Sequence, residues 1–557
     1  MTAPLRGSHG FFLHAHLPFV HHPDHADFLE EDWLFEAVAE CYVPIVRGLE
    51  RLASDGVAAP LTMSVSPPLC EMLANATLRR KLERFLEARV ELGRREERRL
   101  RGREPWERTA RLHADLFADA LAVACGPGGG LLARLRALRD AGRLELVTCS
   151  ATHGFAPVLG RDEAVEAQIA VAVANFEKHF GSAPDGIWLA ECGWIDGIDE
   201  VLLRNGIRYT FVDGHAILGA EPPPRRGTRA PVRTRAGLAV LGRDDESSRQ
   251  VWSSKEGYPG DFSYREFYRD LGYDGAYADI RRTLHSDGVR RNIGFKYHRI
   301  TGDVALGAKE PYEPLAAAAR ADEHAANFLF NRGKQAEHFA GLDGREPFIL
   351  SPYDAELFGH WWFEGPLFLE CFYRRAANVP GGSVVPETPR SFLDRCGELE
   401  TAEPEPSSWG EKGYSFVWLN GANDHVHRHV HHLEDEMVAA ANARPRARGL
   451  ARRTLNQMAR ECLLAESSDW PFIMTMKTAV PYAEKRLRDH VARFLDLAAT
   501  LRAGAPDERL VAECERLDPI FPEIDYRVFA SPGANSDSDE DGEEETGPAT
   551  SEASSTS

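Results

Sequence analysis

Short apolar runs alternate with helical stretches from residue 10 to about 380, and this alternation restricts the fold more than any other feature. The strand candidates are Gly10–His16, Leu61–Ser66, Leu144–Ser150, Gly186–Glu191, Arg208–Asp213 and Phe348–Leu350. Helical patterns such as Phe35–Leu52 and Val165–His179 separate them. Strands that alternate with helices form βα units around a parallel sheet or barrel. The expected fold class is therefore α/β. At 557 residues the chain has room for a barrel of about 250 residues and an accessory domain.

Departures from the alternation mark the other parts. Leu78 to about Leu121 is laced with Arg and Glu and reads as a solvated helical excursion. Residues 214–265 carry Pro222-Pro-Pro224, Arg225-Arg226 and Gly257-Tyr-Pro-Gly260, and read as an inserted subdomain or loop between two barrel portions, 8–213 and 266–384. Residues 385–530 turn helical, with patterns over Asp424–Asn442, Ala447–Ser467 and Tyr482–Leu501. Residues 531–557 hold eight acidic residues and no Lys or Arg, the composition of a disordered tail.

The ends of the apolar runs carry the chemistry. Phe348-Ile-Leu350 leads into Asp354, Glu356, His360, Trp361, Trp362 and Glu364. Gly186-Ile-Trp-Leu-Ala190 leads into Glu191, Cys192 and Trp194. In a βα barrel the C-terminal strand ends face the active site. Two carboxylates at separate strand ends, beside aromatic rings that can pack on pyranose faces, suit glycoside cleavage. Cys192 lacks the partners of a nucleophilic thiol and reads as packing.

His14 and His16 sit two apart on one strand and so share a face; His153 follows another strand. The three could ligate zinc or bind sugar hydroxyls. The early strands offer no Asp to complete a metal-hydrolase set, so no metal and no cofactor are expected. His425, His427, His429, His431 and His432 read as a polar helix face, in a helix capped at Asn423-Asp424.

A net charge of −20 argues against nucleic acid and anionic membranes as partners, and leaves a neutral polysaccharide open. No run approaches the about 20 apolar residues of a membrane helix, and no signal segment is seen. Nine cysteines without a CxxC pair fit reduced thiols and a cytoplasmic location. Nothing reads as an oligomerisation segment, so a monomer is expected.

With these residues in place, the chain resembles glycoside hydrolase family 57 over about residues 8–525. His14-Ala-His-Leu-Pro18, Cys149-Ser-Ala-Thr-His153, Trp188-Leu-Ala-Glu191-Cys-Gly-Trp194, Tyr353 to Glu364, and Trp409-Gly-Glu-Lys-Gly413 through Trp418, Asp424 and His427 correspond in order to its five motif regions. The resemblance implies an incomplete (β/α)7 barrel with a small inserted domain and an α-helical C-terminal domain. It implies retention without a metal, Glu191 as nucleophile and Asp354 as acid/base. Within the family the likeness is to α-glucan branching. Transfer to a 4-hydroxyl or to water remains open, as does a metal-dependent deacetylase-like or mannosidase-like barrel. The expected substrate-binding set is His14, His16, His153, Trp194, Tyr258 as a lid residue, Trp361, Trp409 and Trp418 as platforms, and Asp424. Glu356 and Glu364 are expected in supporting ion pairs or hydrogen bonds.

Overall fold

A computed structural model describes residues 6–252, 257–379 and 382–533. The strands are β1 (Gly7–Ala15), β2 (Leu61–Val65), β3 (Leu144–Cys149), β4 (Gly186–Trp188), β5 (Tyr209–Val212), β6 (Val232–Arg233), β7 (Ala239–Gly242), β8 (Phe348–Asp354), β9 (Val384–Pro386) and β10 (Glu400–Thr401). Seven of them run in one parallel row, β8-β1-β2-β3-β4-β5-β7. β6 adds antiparallel to β7, and β10 continues that edge. The row curls into an incomplete (β/α)7 barrel. Its two ends, β7 and β8, share no ladder among the described residues, but the Asp244 amide donates to the Leu350 carbonyl at 2.9 Å.

The pleat of β1 explains how the barrel fills. Phe12 points inward into a cluster with Val147, Cys149, Trp188, Phe211, Leu241, Phe348 and Leu350. Phe11 and Leu13 point outward. Phe11 packs edge-on against Phe372 of the helix Gly365–Ala377 and stacks on Phe328 of the helix Pro314–Asp343. Each such ring taken from water contributes about 1.5–3 kcal/mol. Period two then places His14 above Phe12 on the inner face, and Asp354 above Leu350 on β8. The interior is apolar at the bottom and ionisable at the top.

The charged excursion is a helical pair, Ala76–Leu100 and Trp106–Ala124. The Asn75 side chain caps the first by accepting the Thr77 and Leu78 amides. The expected insertion at 214–265 has a different anatomy. Residues 239–242 return to the sheet as β7, the seventh parallel strand, because Leu238–Leu241 is apolar and pairs along β5. β7 is followed by the helix Asp245–Trp252, and residues 257–312 carry only short helical turns before the helix Pro314–Asp343.

Beyond β10 lie the helices Asp424–Ala443, Gly449–Ala465, Asp469–Met476, Val480–Arg502 and Glu508–Leu517. They sit against the C-terminal mouth of the barrel: the Ser468 amide donates to the His153 carbonyl (3.0 Å), and Thr152 Oγ1 donates to the Leu463 carbonyl. Asn423 does not cap its helix as expected. Its side chain is spent on the Asn420 amide, the Val417 carbonyl and Thr475. Of the expected acidic tail, residues 534–557 lie outside the described residues.

Candidate active site

Glu191 lies three residues beyond β4, in a short turn where its backbone is left-handed (φ 59°, ψ 23°). Cys192 (φ 53°) and His153 (φ 61°) share that conformation. A non-glycine residue held there costs on the order of 1–3 kcal/mol, and such positions gather at functional sites. Here the strain turns the Glu191 carboxylate into the mouth, and hydrogen bonds hold it. Trp409 Nε1 donates to Oε2 at 2.6 Å, Ser468 Oγ donates to Oε1 at 2.9 Å, and the Trp409 amide donates to the Glu191 carbonyl at 2.8 Å.

Asp354 ends β8 in ordinary extended geometry, in register with His14 on β1. It is half-buried, and its carboxyl accepts no hydrogen bond among the described residues. Burial pushes Asp354 up to about 6, opposed by the charges of His16 and Arg243. Burial also pushes Glu191 up, to about 8; the Trp409 and Ser468 donors oppose this, and the charges of Asp469 and Asp354 add to it. Taken singly, those values would leave the proton on Glu191. The donors argue otherwise: two N–H or O–H groups aimed at Glu191 favour its anion, and Asp354 has none. That asymmetry of donors favours the anion at Glu191 and the proton at Asp354.

Around the carboxylates the three histidines converge. The His16 and His153 rings stack at 3.7 Å, and His14 stacks on His153 at 5.1 Å and on Trp188 at 5.3 Å. All six imidazole nitrogens have protein partners. His14 meets Ser64 Oγ and His153 Nε2; His16 meets Ser66 Oγ and the Asp469 carboxylate; His153 meets Ser468 Oγ and His14. His14, His16 and His153, expected to bind sugar hydroxyls, thus also hold one another and the C-terminal helices in place. The acid missing from the early strands for a metal set is supplied by Asp469, whose ligand atoms with His16 and His153 lie within 4.8 Å of one another. Within that set His16 and Asp469 meet each other at 3.1 Å, while both nitrogens of His153 meet partners outside it, Ser468 at 2.7 Å and His14 at 3.0 Å.

Other expected binders occupy different places. Trp194 is buried among Ile187, Leu189 and Ile198; its backbone pairs with Ser407 and so carries the neighbouring Trp409 to Glu191. Trp418 is buried against Phe155 and offers no ring face to a sugar. Tyr258 donates to Asn327 and packs on His324 and Phe368, on the outer helices. Asp424 is exposed on the first turn of its helix. Trp361 is 55% exposed, with one face on Phe267 at 4.3 Å. Glu356 accepts from Tyr42 and the His16 amide; Glu364 accepts from Tyr312 and the Arg265 amide. Both are structural anchors. Cys192 is buried in the barrel interior as packing.

Comparison with known proteins decides the family. Residues 10–388 match the sequence model of glycosyl hydrolase family 57, and residues 429–529 match that of the 1,4-alpha-glucan branching enzyme C-terminal region. The chain belongs to glycosyl hydrolase family 57. Within the family, the 1,4-alpha-glucan branching enzyme TK1436 of Thermococcus kodakarensis is 34% identical over 93% of this chain and 78% of its own length. Among solved structures, the alpha-amylase AmyC of Thermotoga maritima is 42% identical, with a TM-score of 0.89, over 95% of this chain and 99% of its own. The branching enzyme of Pyrococcus horikoshii is 34% identical, with a TM-score of 0.84, over 94% and 97%.

Ser64, Ser66, Ser468 and Asp469 were not reached from the sequence. A signal existed for the first two: His14-x-His16 and Ser64-x-Ser66 share a period of two, and the β1–β2 register sets His14 opposite Ser64. No such pattern marks Ser468 and Asp469, the residue before the C-terminal helix Asp469–Met476 and its first residue.

Proposed function

We propose that this family 57 chain is a retaining 1,4-α-glucan branching enzyme. Glu191 attacks the anomeric carbon of an α-1,4-linked glucan and forms a β-glycosyl-enzyme, while Asp354 protonates the departing 4-oxygen. The ionised Asp354 then takes the proton from the 6-hydroxyl of an acceptor chain, which displaces Glu191 and forms an α-1,6 branch. The observation that carries this reading is the asymmetry of two carboxylates at one mouth: donors meet both oxygens of Glu191, and no donor meets Asp354. The match of residues 429–529 to the branching-enzyme C-terminal model supports branching, and this C-terminal region supplies Ser468 to Glu191. The substrate is an α-glucan of the glycogen type. All nine cysteines are free, which suits the reducing cytoplasm; no described helix is long and apolar enough to cross a membrane.

One observation favours a second reading, α-1,4 hydrolysis. AmyC is named an alpha-amylase, and its identity to this chain exceeds that of the two branching enzymes compared. Proton NMR of amylose incubated with the enzyme, with reducing ends counted in parallel, separates the two. New α-1,6 anomeric signals with few new reducing ends are expected. Rising reducing ends without α-1,6 signals would make the chain a hydrolase.

A further inference from the structure

A continuous column of hydrogen bonds starts deep in the barrel wall and ends on Glu191. Ser64 Oγ lies 2.7 Å from His14 Nδ1, and His14 Nε2 lies 3.0 Å from His153 Nε2. His153 Nδ1 lies 2.7 Å from Ser468 Oγ, and Ser468 Oγ lies 2.9 Å from Glu191 Oε1. All five residues are buried. Burial, reinforced by the mutual repulsion of the rings, holds His14 and His153 well below the usual imidazole range, so both are neutral.

Two neutral imidazoles meeting through their Nε2 atoms share one proton between those atoms, and this couples every bond in the column. In one arrangement His14 Nε2 donates to His153. His14 Nδ1 is then bare and accepts from the Ser64 hydroxyl, and His153 Nδ1 donates to Ser468. The single Ser468 proton is left to point at Glu191, which must be an anion to receive it. In the other arrangement every bond reverses, Ser468 donates to His153, and Glu191 must carry a proton to donate to Ser468. The reversed column strands the Ser64 proton, because no second side-chain acceptor for Ser64 Oγ lies among the described residues. A buried donor without an acceptor is disfavoured. The first arrangement therefore prevails.

We propose that Ser64 and Ser468 are positioning residues that act through His14 and His153 to keep Glu191 a carboxylate. The proposal rests on the reading of Glu191 as nucleophile. It assigns the C-terminal helices a direct part in the chemistry, because Ser468 is the last link. Ser64 touches neither Glu191 nor the mouth, yet it sets the direction of the column. His153 Nδ1 lies 3.5 Å from the same Oε1, beyond its 2.7 Å contact with Ser468, and the other groups around Glu191 do not replace the column. Trp409 Nε1 is a fixed donor on the other oxygen. Asp354 and Asp469 oppose the anion. The Asp469 charge is partnered by His16, and Arg243 is paired with Asp213 at 2.7 Å.

The test follows the ionised fraction of Glu191 in the full chain, using α-maltosyl fluoride as donor. Fluoride leaves without protonation, so the pH dependence of kcat/KM reports Glu191 rather than Asp354. Removing a donor from an anion raises its pKa, so the acidic limb should move upward. Ser468→Ala should move it by about one unit, a roughly tenfold loss at pH values below the limb. Ser64→Ala should move it in the same direction by less, and Ser64→Thr should return it toward the parent position. Losses that are uniform across pH, with the limb unmoved, would overturn the relay. If Ser64→Ala does not fold, Ser468→Ala decides by the same limb. Glu191→Gln in the same assay keeps the two ideas apart: full turnover in that variant removes the nucleophile reading, whereas an inactive Glu191→Gln beside an unmoved Ser468→Ala limb removes only the relay.

Discussion

Glu191 and Asp354 carry the same functional group at C-terminal strand ends of one barrel, and the protein treats them differently. Glu191 sits on strained backbone, with a donor on each oxygen. Asp354 sits on relaxed strand, half-buried, with charges nearby and no donor. Burial raises both, so burial alone gives two acids. Under the proposed roles, what separates the nucleophile from the acid is the local supply of N–H and O–H groups. That supply comes from outside the β4 and β8 turns: Trp409 from the segment after β10, and Ser468 from the helical domain.

The difference is broken most severely by neutralising either group. Glu191→Gln and Asp354→Asn should each lower turnover of amylose by about 10³-fold or more, with the melting temperature preserved. The two should part company on α-maltosyl fluoride. Asp354→Asn should still release fluoride in a first turnover, and Glu191→Gln should release none. Equal release by both would erase the distinction.

The pH dependence tests the shared proton. Below the lower limb both carboxyls are protonated and there is no nucleophile. Above the upper limb both are ionised and there is no acid. The kcat/KM for amylose should therefore be bell-shaped, with limbs near about 6 and about 8 that belong to the pair. Two units outside either limb, activity should fall about 100-fold. A profile flat from pH 5 to 9 would contradict a buried pair sharing one proton.

Trp409→Phe sharpens the comparison at one oxygen. It keeps an aromatic ring and deletes the 2.6 Å donor to Oε2. A loss of about tenfold in kcat/KM and an upward shift of the acidic limb are expected. An unchanged profile would mean that Trp409 serves only as packing. The smallest effect expected is none: dialysis against EDTA should leave activity intact, since the two-carboxylate mechanism needs no metal and both His153 nitrogens are held by Ser468 and His14. Loss on chelation with recovery on zinc would revive the metal reading.

Much of this was legible in the chain. The alternating runs located six of the seven barrel strands, and the strand-end carboxylates and His14, His16 and His153 do converge. β7 was hidden because four apolar residues among Arg, Gly and Pro carry too little period to be read as a strand. The aromatic residues were the weakest part. Trp194, Trp409 and Trp418 look alike in sequence; packing puts the first and last inside and leaves Trp409 on Glu191. Tyr258 was drawn to the mouth by its loop, whereas its hydroxyl finds Asn327 on an outer helix. Ser468 and Asp469 come from the far end of the chain, and only tertiary structure brings them to β1 and β4.

The most direct measurement of the central claim is the mass of the Asp354→Asn protein after mixing with α-maltosyl fluoride, followed by peptide mapping. Without its acid/base this variant should accumulate the glycosyl-enzyme, and the account predicts one maltosyl unit on the peptide that contains Glu191. An adduct on a different residue, or fluoride release with no adduct at any time point, would contradict it.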